Sequence, residues 1–275
     1  MEVLPEDCIA HVLSFGSPRD SCRSAVVASV FRDAAESEVL WGKFLPPDHR
    51  QIISRSVFPV MFKSNKELFF KLSTPILVDG GRRTFSIDKE TGKKCYMLSA
   101  RDLYIAWSAN PLFWCWKPLL QSRFGEAVEL RMTSWLEIQG KIGTRVLSPD
   151  TIYGAYVVIE VAHYRAYGLD ILPMEVSIEV GEFHSRGTII LSCDDCSKGT
   201  SERVCHRNED NKGLGPKFGD DVPRKRMDGW LEIKLGEFYN DEKREKDVKM
   251  RLREVDGVHL KGGLIVEGIE IRPIK

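Results

Sequence analysis

The spacing of apolar positions changes character once along the chain, near residue 83. Before that point the spacing is helical. Ile9, Val12 and Leu13 share one face, as do Cys22, Ala25, Val26 and Ser29, and a further segment carries Leu40, Trp41 and Phe44. Three short amphipathic helices are predicted within the first 47 residues. Ser17 can cap the second, with Pro18 at its first position and Asp20 in its first turn, and Ser37 can cap the third. After Pro46-Pro47, Ile52, Ile53, Val57 and Met61 continue an apolar spacing that Pro59 interrupts. Ser64-Asn65-Lys66-Glu67 reads as a capping box before Leu68, Phe69, Phe70 and Leu72. Residues 48–82 are therefore expected to be a helical linker region, closed by Pro75 and Asp79-Gly80-Gly81.

From Arg83 the pattern becomes strand-like. Strands are expected at 84–87, 94–98, 103–107, 128–142, 152–163, 174–184, 187–192, 229–235, 248–254 and 264–272. Glu175-Val176-Ser177-Ile178-Glu179-Val180 alternates cleanly, and glycines and prolines separate the runs. The expected fold is α+β and multidomain: a helical N-terminal unit over 1–47, the region 48–82, and an antiparallel β-sandwich over 83–275. Residues 192–223 are polar and Gly-rich, longer than most loops, and read as a binding loop or insert. Trp135-Leu136-Glu137-Ile138 recurs as Trp230-Leu231-Glu232-Ile233, but one repeated tetrapeptide does not make a structural repeat.

Lys plus Arg and Asp plus Glu stand at 40 each, so the balance speaks against wholesale nucleic-acid binding. The dense charges of 242–253 alternate in sign and read as a solvated face, and Arg224-Lys225-Arg226 as a loop. Apolar runs fall short of the ~18 residues a membrane helix needs, and the N-terminus lacks the layout of a signal peptide. The 7 cysteines fit reduced thiols, hence cytoplasm and nucleus.

A helical unit of ~45 residues buries too little surface to be robust alone, so its spare apolar face suggests docking. Leu4-Pro5, Ile9, Leu13, Ser17-Pro18-Arg19-Asp20, Val26-Val27-Ala28-Ser29-Val30-Phe31 and Trp41 resemble an F-box. The resemblance implies binding to a Skp-type adaptor, and through it a cullin, with Leu4, Pro5, Ile9, Leu13 and Val26 as contact residues.

Trp107, Trp114 and Trp116 surround an Asn110-Pro111 turn. Indole faces can stack on the C–H face of a sugar, and they also fill cores; the residue types alone leave both open. The blocks Tyr96–Arg101, Leu103–Trp107, Phe113-Trp114-Cys115-Trp116, Trp135–Ile142 and Gly229–Phe238 together resemble the plant phloem-protein-two lectin domain, related to the tobacco lectin Nictaba. This likeness spans about 83–274 and implies a lectin-like jelly roll that binds N-acetylglucosamine oligomers or N-glycan cores, with Trp107, Trp114 and Glu237 at the sugar. Leu112-Phe113 departs from the Arg-Tyr-like pair more usual in active lectins, removing hydrogen bonds worth roughly 0.5–1.5 kcal/mol each.

Cys193-Asp194-Asp195-Cys196 and Cys205-His206 have the residue types of zinc ligands. Adjacent Cys205 and His206 do not readily both face one ion, so a surface loop is the preferred reading. No phosphate loop or nucleophile motif is present, and neither metal nor cofactor is expected. The expected role is the substrate-recognition subunit of an SCF-type ubiquitin ligase. It would be a non-catalytic adaptor that binds a target, an N-glycosylated protein being one class, and neither nucleic acid nor membrane. The rival readings are a nucleocytoplasmic lectin specific for N-acetylglucosamine or N-glycans, and a glycan hydrolase.

Overall fold

A computed structural model describes residues 5–162, 164–191, 223–241 and 245–274. Leu4, the Cys193–His206 set and most of the long polar segment lie outside the described residues. Six helices come first: α1 Glu6–Leu13, α2 Pro18–Ser24, α3 Ser29–Glu36, α4 Glu38–Phe44, α5 His49–Ser54 and α6 Asn65–Leu72. Ser17 caps α2 in a full capping box with Asp20, and Ser37 caps α4. Ser64 accepts from the Glu67 amide, while Glu67 reaches back to Lys63 N at 2.8 Å. The helical spacing expected from Cys22 to Ser29 is broken. α2 ends at Ser24 and α3 starts anew at Ser29, so the described residues up to 47 hold four helices rather than three. Ile9, Ala10, Ala34 and Leu40 form a small core there, with Leu13, Val30 and Phe44 at its margin.

The strands are β1 Ile76–Val78, β2 Arg83–Ile87, β3 Lys94–Ser99, β4 Tyr104–Ile105, β5 Trp114–Pro118, β6 Glu126–Leu130 and β7 Leu136–Gly143. They continue as β8 Thr151–Val161, β9 Met174–Val180, β10 Phe183–Ile189, β11 Arg224–Lys225, β12 Leu231–Asn240, β13 Asp247–Glu254 and β14 Leu264–Pro273. They form two sheets, antiparallel throughout. The larger runs β1-β2-β3-β14-β8-β12-β11, with the β5–β6 hairpin joined through β14, and the smaller runs β10-β9-β13-β7-β4. Alternation decides what each sheet buries. On β13, Val248, Met250 and Leu252 are buried while the residues between them face outward. Gly236 of β12 shows how closely the sheets approach: a Cβ there would lie 2.7 Å from Cγ2 of Ile178 on β9.

Expectations change in the sandwich too, and Arg224-Lys225, read as a loop, pairs with β12 as β11. The run 128–142 is two strands in different sheets, because residues 131–135 cross between them and Thr133 bridges to Lys261. The run 103–107 shortens to two residues, because Trp107 turns the chain at φ 65°. β1 lies within the stretch expected to be helical, and the chain before it joins the sheet, with Val57 N donating to Leu77 O and Asp79 N to Arg55 O.

One apolar core runs from the helices into the sandwich. Trp41, Leu45, Ile52, Leu68, Phe69 and Leu72 belong to the same buried cluster as Val78, Phe85, Leu98 and Ile271. The β2–β3 turn seals the junction. Gly92, at φ 71°, sits where a Cβ would be 3.1 Å from Phe44 O and 3.7 Å from Pro18. Lys94 pairs with Asp48 at 2.8 Å, and Arg19 with Glu90 at 3.1 Å.

Candidate functional sites

Two surfaces present chemistry that the core does not need. The first is on the N-terminal helices. Val12 on α1 (65% exposed), Phe15 between α1 and α2 (80%), and Val26 (81%) and Val27 (75%) between α2 and α3 are all exposed, as are Pro5 and Phe31. Exposed apolar side chains at this density are candidates for a contact surface. Of the expected contact residues, Pro5 and Val26 are exposed. Ile9 is not: it is 7% exposed inside the small helical core, and Leu13 is half-buried at its edge. Helical periodicity puts Ile9, Val12 and Leu13 on one face without saying which of them meets the neighbouring helix, and the residues implied by the F-box resemblance include buried Ile9 but not exposed Val12, Phe15 or Val27.

The second surface is the loop between β4 and β5. The chain leaves β4 through Ala106 and turns at Trp107, a bulky residue in the left-handed region. Local hydrogen bonds hold the turn: Asn110 N to Trp107 O (2.9 Å), Leu112 N to Asn110 Oδ1 (3.0 Å) and Trp114 N to Asn110 O (3.1 Å). Trp107 is 59% exposed, and its ring meets Phe113 at 6.1 Å. A strained backbone supporting an exposed indole suggests function, because packing does not account for it.

The other two tryptophans of this loop serve it from below. Trp114 is 2% exposed and donates its indole N–H to Ala106 O at 2.9 Å. It is a core residue, which corrects its expected place in a stacking wall. Trp116 donates to Ser108 O at 3.3 Å, and Arg101 stacks over it at 3.5 Å. Arg101 in turn grips Glu126 through two bonds of 2.8 Å, holding that carboxyl below its usual range. Glu237 lies on β12 in the larger sheet, opposite Gly154, and pairs with Lys234 at 2.5 Å. Trp107, by contrast, extends from the edge of the smaller sheet.

Two buried clusters lie away from these surfaces. On the larger sheet Arg226 and Arg272 clamp Glu232 at 2.9 and 2.7 Å. Burial alone would raise the Glu232 carboxyl, but hydrogen bonds and charge from Arg272 and Arg226 outweigh it and lower the pKa. Behind the 131–135 crossing, Lys261 is fully buried, donates to Ser134 O at 2.7 Å and pairs with Glu254. The repeated tetrapeptide also resolves here. Trp135 is 46% exposed just before β7 of the smaller sheet, whereas Trp230 is 3% exposed against the larger one. An open cavity of about 540 Å³ beside α6 is lined by Glu36, Lys66, Glu67 and Lys71, whose charges pair with one another. Among the described residues no group of His, Cys, Asp and Glu is placed to hold a metal.

The architecture is an antiparallel sandwich with an exposed aromatic loop, fused to a helical unit with exposed apolar side chains. Residues 93–273 match the model of the family described as Phloem protein 2, and the chain belongs to that family. Several relatives in Arabidopsis thaliana are named as F-box proteins. F-box protein PP2-B15 is 47% identical over 98% of this chain and 96% of its own length. F-box protein PP2-B13 is 42% identical over 100% and 99%, and F-box protein VBF 43% identical over 99% of both. This chain is thus an F-box-type protein with a phloem protein 2 domain, akin to a group of plant F-box proteins.

Proposed function

We propose that this protein is the substrate-recognition subunit of an SCF-type ubiquitin ligase. Its N-terminal helices dock on a Skp-type adaptor, and its sandwich holds a target for ubiquitin transfer. The observation that carries the reading is the pairing of the uncovered helical face at Val12, Phe15, Val26 and Val27 with a full-length likeness to proteins named as F-box proteins. Burying a large aliphatic or aromatic side chain contributes about 1.5–3 kcal/mol, so four such residues are a sufficient anchor for a specific interface. The polypeptide supplies proximity rather than chemistry, converting a bimolecular encounter into a local one.

The target-binding element is the Trp107 loop, and its ligand class is a protein bearing N-acetylglucosamine or an N-glycan core. Strain at an exposed Trp107, supported by buried Trp114 and stacked Trp116, favours this over a packing role. Reconstitution tests it. With adaptor, cullin and conjugating enzyme present, the full chain should direct ubiquitin onto a protein carrying N-acetylglucosamine, and Trp107→Ala should stop this without loosening adaptor binding. Equal modification of the sugar-bearing and deglycosylated protein would remove the glycan from the proposal.

A further inference from the structure

Strand register lays out the outer face of the smaller sheet. Residues directly opposite in an antiparallel pair share a face. Arg186 on β10 stands opposite Ser177 on β9, and Ser177 opposite Arg251 on β13. Arg251 stands opposite Gln139 on β7, and Gln139 opposite Tyr104 on β4. One row of side chains therefore crosses all five strands. It is the outer row, because the residues alternating with it, Val176, Ile178, Ile138, Met250 and Leu252, are buried in the core.

Every side chain of this row can donate a hydrogen bond, and none is acidic. The short Ser177 is flanked, on strands ~4.8 Å away to either side, by an arginine. Arg186 is exposed on the edge strand and forms no ion pair with the described residues. Arg251 Nε donates to Gln139 Oε1 at 3.0 Å, which leaves the Gln139 amide nitrogen as a donor. Its guanidinium approaches Glu179 only to 3.8 Å, and Glu179 is held by Lys249 at 3.0 Å. The neighbouring rows differ. One is His184, Glu179, Lys249 and Lys141, the other Thr188, Glu175, Arg253 and Glu137, so each mixes the two signs. A polyanion laid over the face meets Glu179, Glu175 and Glu137. A single compact anion above Ser177 meets an arginine on each side.

We propose that this row is a docking site for a protein partner bearing a phosphorylated serine or threonine. The phosphate sits above Ser177 between the Arg186 and Arg251 guanidiniums, and the peptide around it runs over Gln139 and Tyr104, which is 60% exposed. A phosphomonoester carries about −1.5 to −2 charge near neutral pH and three strong acceptor oxygens. Two guanidiniums match it in charge and in their paired donors. The site lies on the sheet face rather than in the Trp107 loop. It goes beyond the glycan reading and stands whether or not that loop binds sugar.

The test uses the full chain on an array of degenerate peptides with a fixed central phosphoserine, beside the same array carrying serine there. The wild type should be retained by the phosphoserine array and not by the serine array. The best peptide is then titrated in solution by fluorescence anisotropy. Arg186→Gln and Arg251→Gln should each weaken binding about tenfold, the loss of a hydrogen-bonded charge. Arg186→Lys should lose less, and Arg224→Gln, an exposed arginine on the other sheet, nothing. Arg186 is exposed on an edge strand, so its variants should melt with the wild type and report docking rather than folding. Equal retention by both arrays, no retention by either, or binding that Arg186→Gln and Arg251→Gln leave unchanged would overturn the proposal. So would tighter binding of a single-stranded oligonucleotide than of the best peptide. Trp107→Ala should leave the peptide affinity unchanged, which keeps a failure here distinct from a failure of the glycan reading.

Discussion

If the helices and the sandwich share one core, cutting a single side chain at their junction should loosen both together. Phe69 on α6 is the sharpest choice. It is 1% exposed, lies 5.1 Å from the Trp41 ring and 5.7 Å from Phe70, and reaches the Gly92 turn of the β2–β3 hairpin. Phe69→Ala removes a whole buried ring from a close-packed site, at a cost of about 3–5 kcal/mol. For a chain of this size each kcal/mol moves the midpoint by roughly 2–4 °C, so Tm should fall by about 10 °C. The exposed neighbour Val39, changed to Ala, should cost less than about 0.5 kcal/mol. Native-state hydrogen exchange reads the distribution of the effect. Amides of α4, α6, β2 and β3 should lose protection in parallel, with one calorimetric transition. Loss of protection confined to the helices, with β2 and β3 unchanged, would refute the shared core.

Trp114→Ala should lower stability by about 3–5 kcal/mol, because it empties a core site, as a melt would show. Trp107→Gly should raise the melting temperature slightly, by relieving a left-handed backbone, while removing ligand binding; a clear loss of stability would show Trp107 to be structural. Glu267 is fully buried at the β14 bulge and accepts from Arg123 N at 2.7 Å, and burial raises its pKa above the usual 4.5. The folded carboxyl keeps its proton to higher pH than the unfolded one. Its contribution is therefore complete below about pH 4.5 and is lost as pH rises through the folded value. Glu267→Gln keeps an acceptor for Arg123 and should gain on the wild type as pH rises, in denaturant titrations at several pH values. A gap that narrows with pH would show the wrong sign.

The legible parts of the sequence were those set by local chemistry. Ser17-Pro18-Arg19-Asp20 carries its capping box in four adjacent residues, and the alternation of 175–180 can only be a half-buried strand. What stayed hidden depends on partners distant in sequence. Nothing near 131–135 announces that the chain crosses to the other sheet there, since the bridge is to Lys261. β5 is a strand because β6 pairs with it, although its aromatic residues look like a binding cluster. Trp107 and Trp114 are equally apolar in sequence, and only the turn between them sends one outward and the other inward. Val12 and Ile9 share a helix, and the packing of α3 and α4 decides which is spare.

The central claim, that the helical face docks an adaptor, is tested most directly by titrating a purified Skp-type adaptor into the full chain by calorimetry. The account predicts one-to-one binding with a negative heat-capacity change, the mark of apolar burial, and its loss in Val26→Asp/Val27→Asp at unchanged melting temperature. Absence of binding by the wild type, or undiminished binding by the double variant, would contradict it.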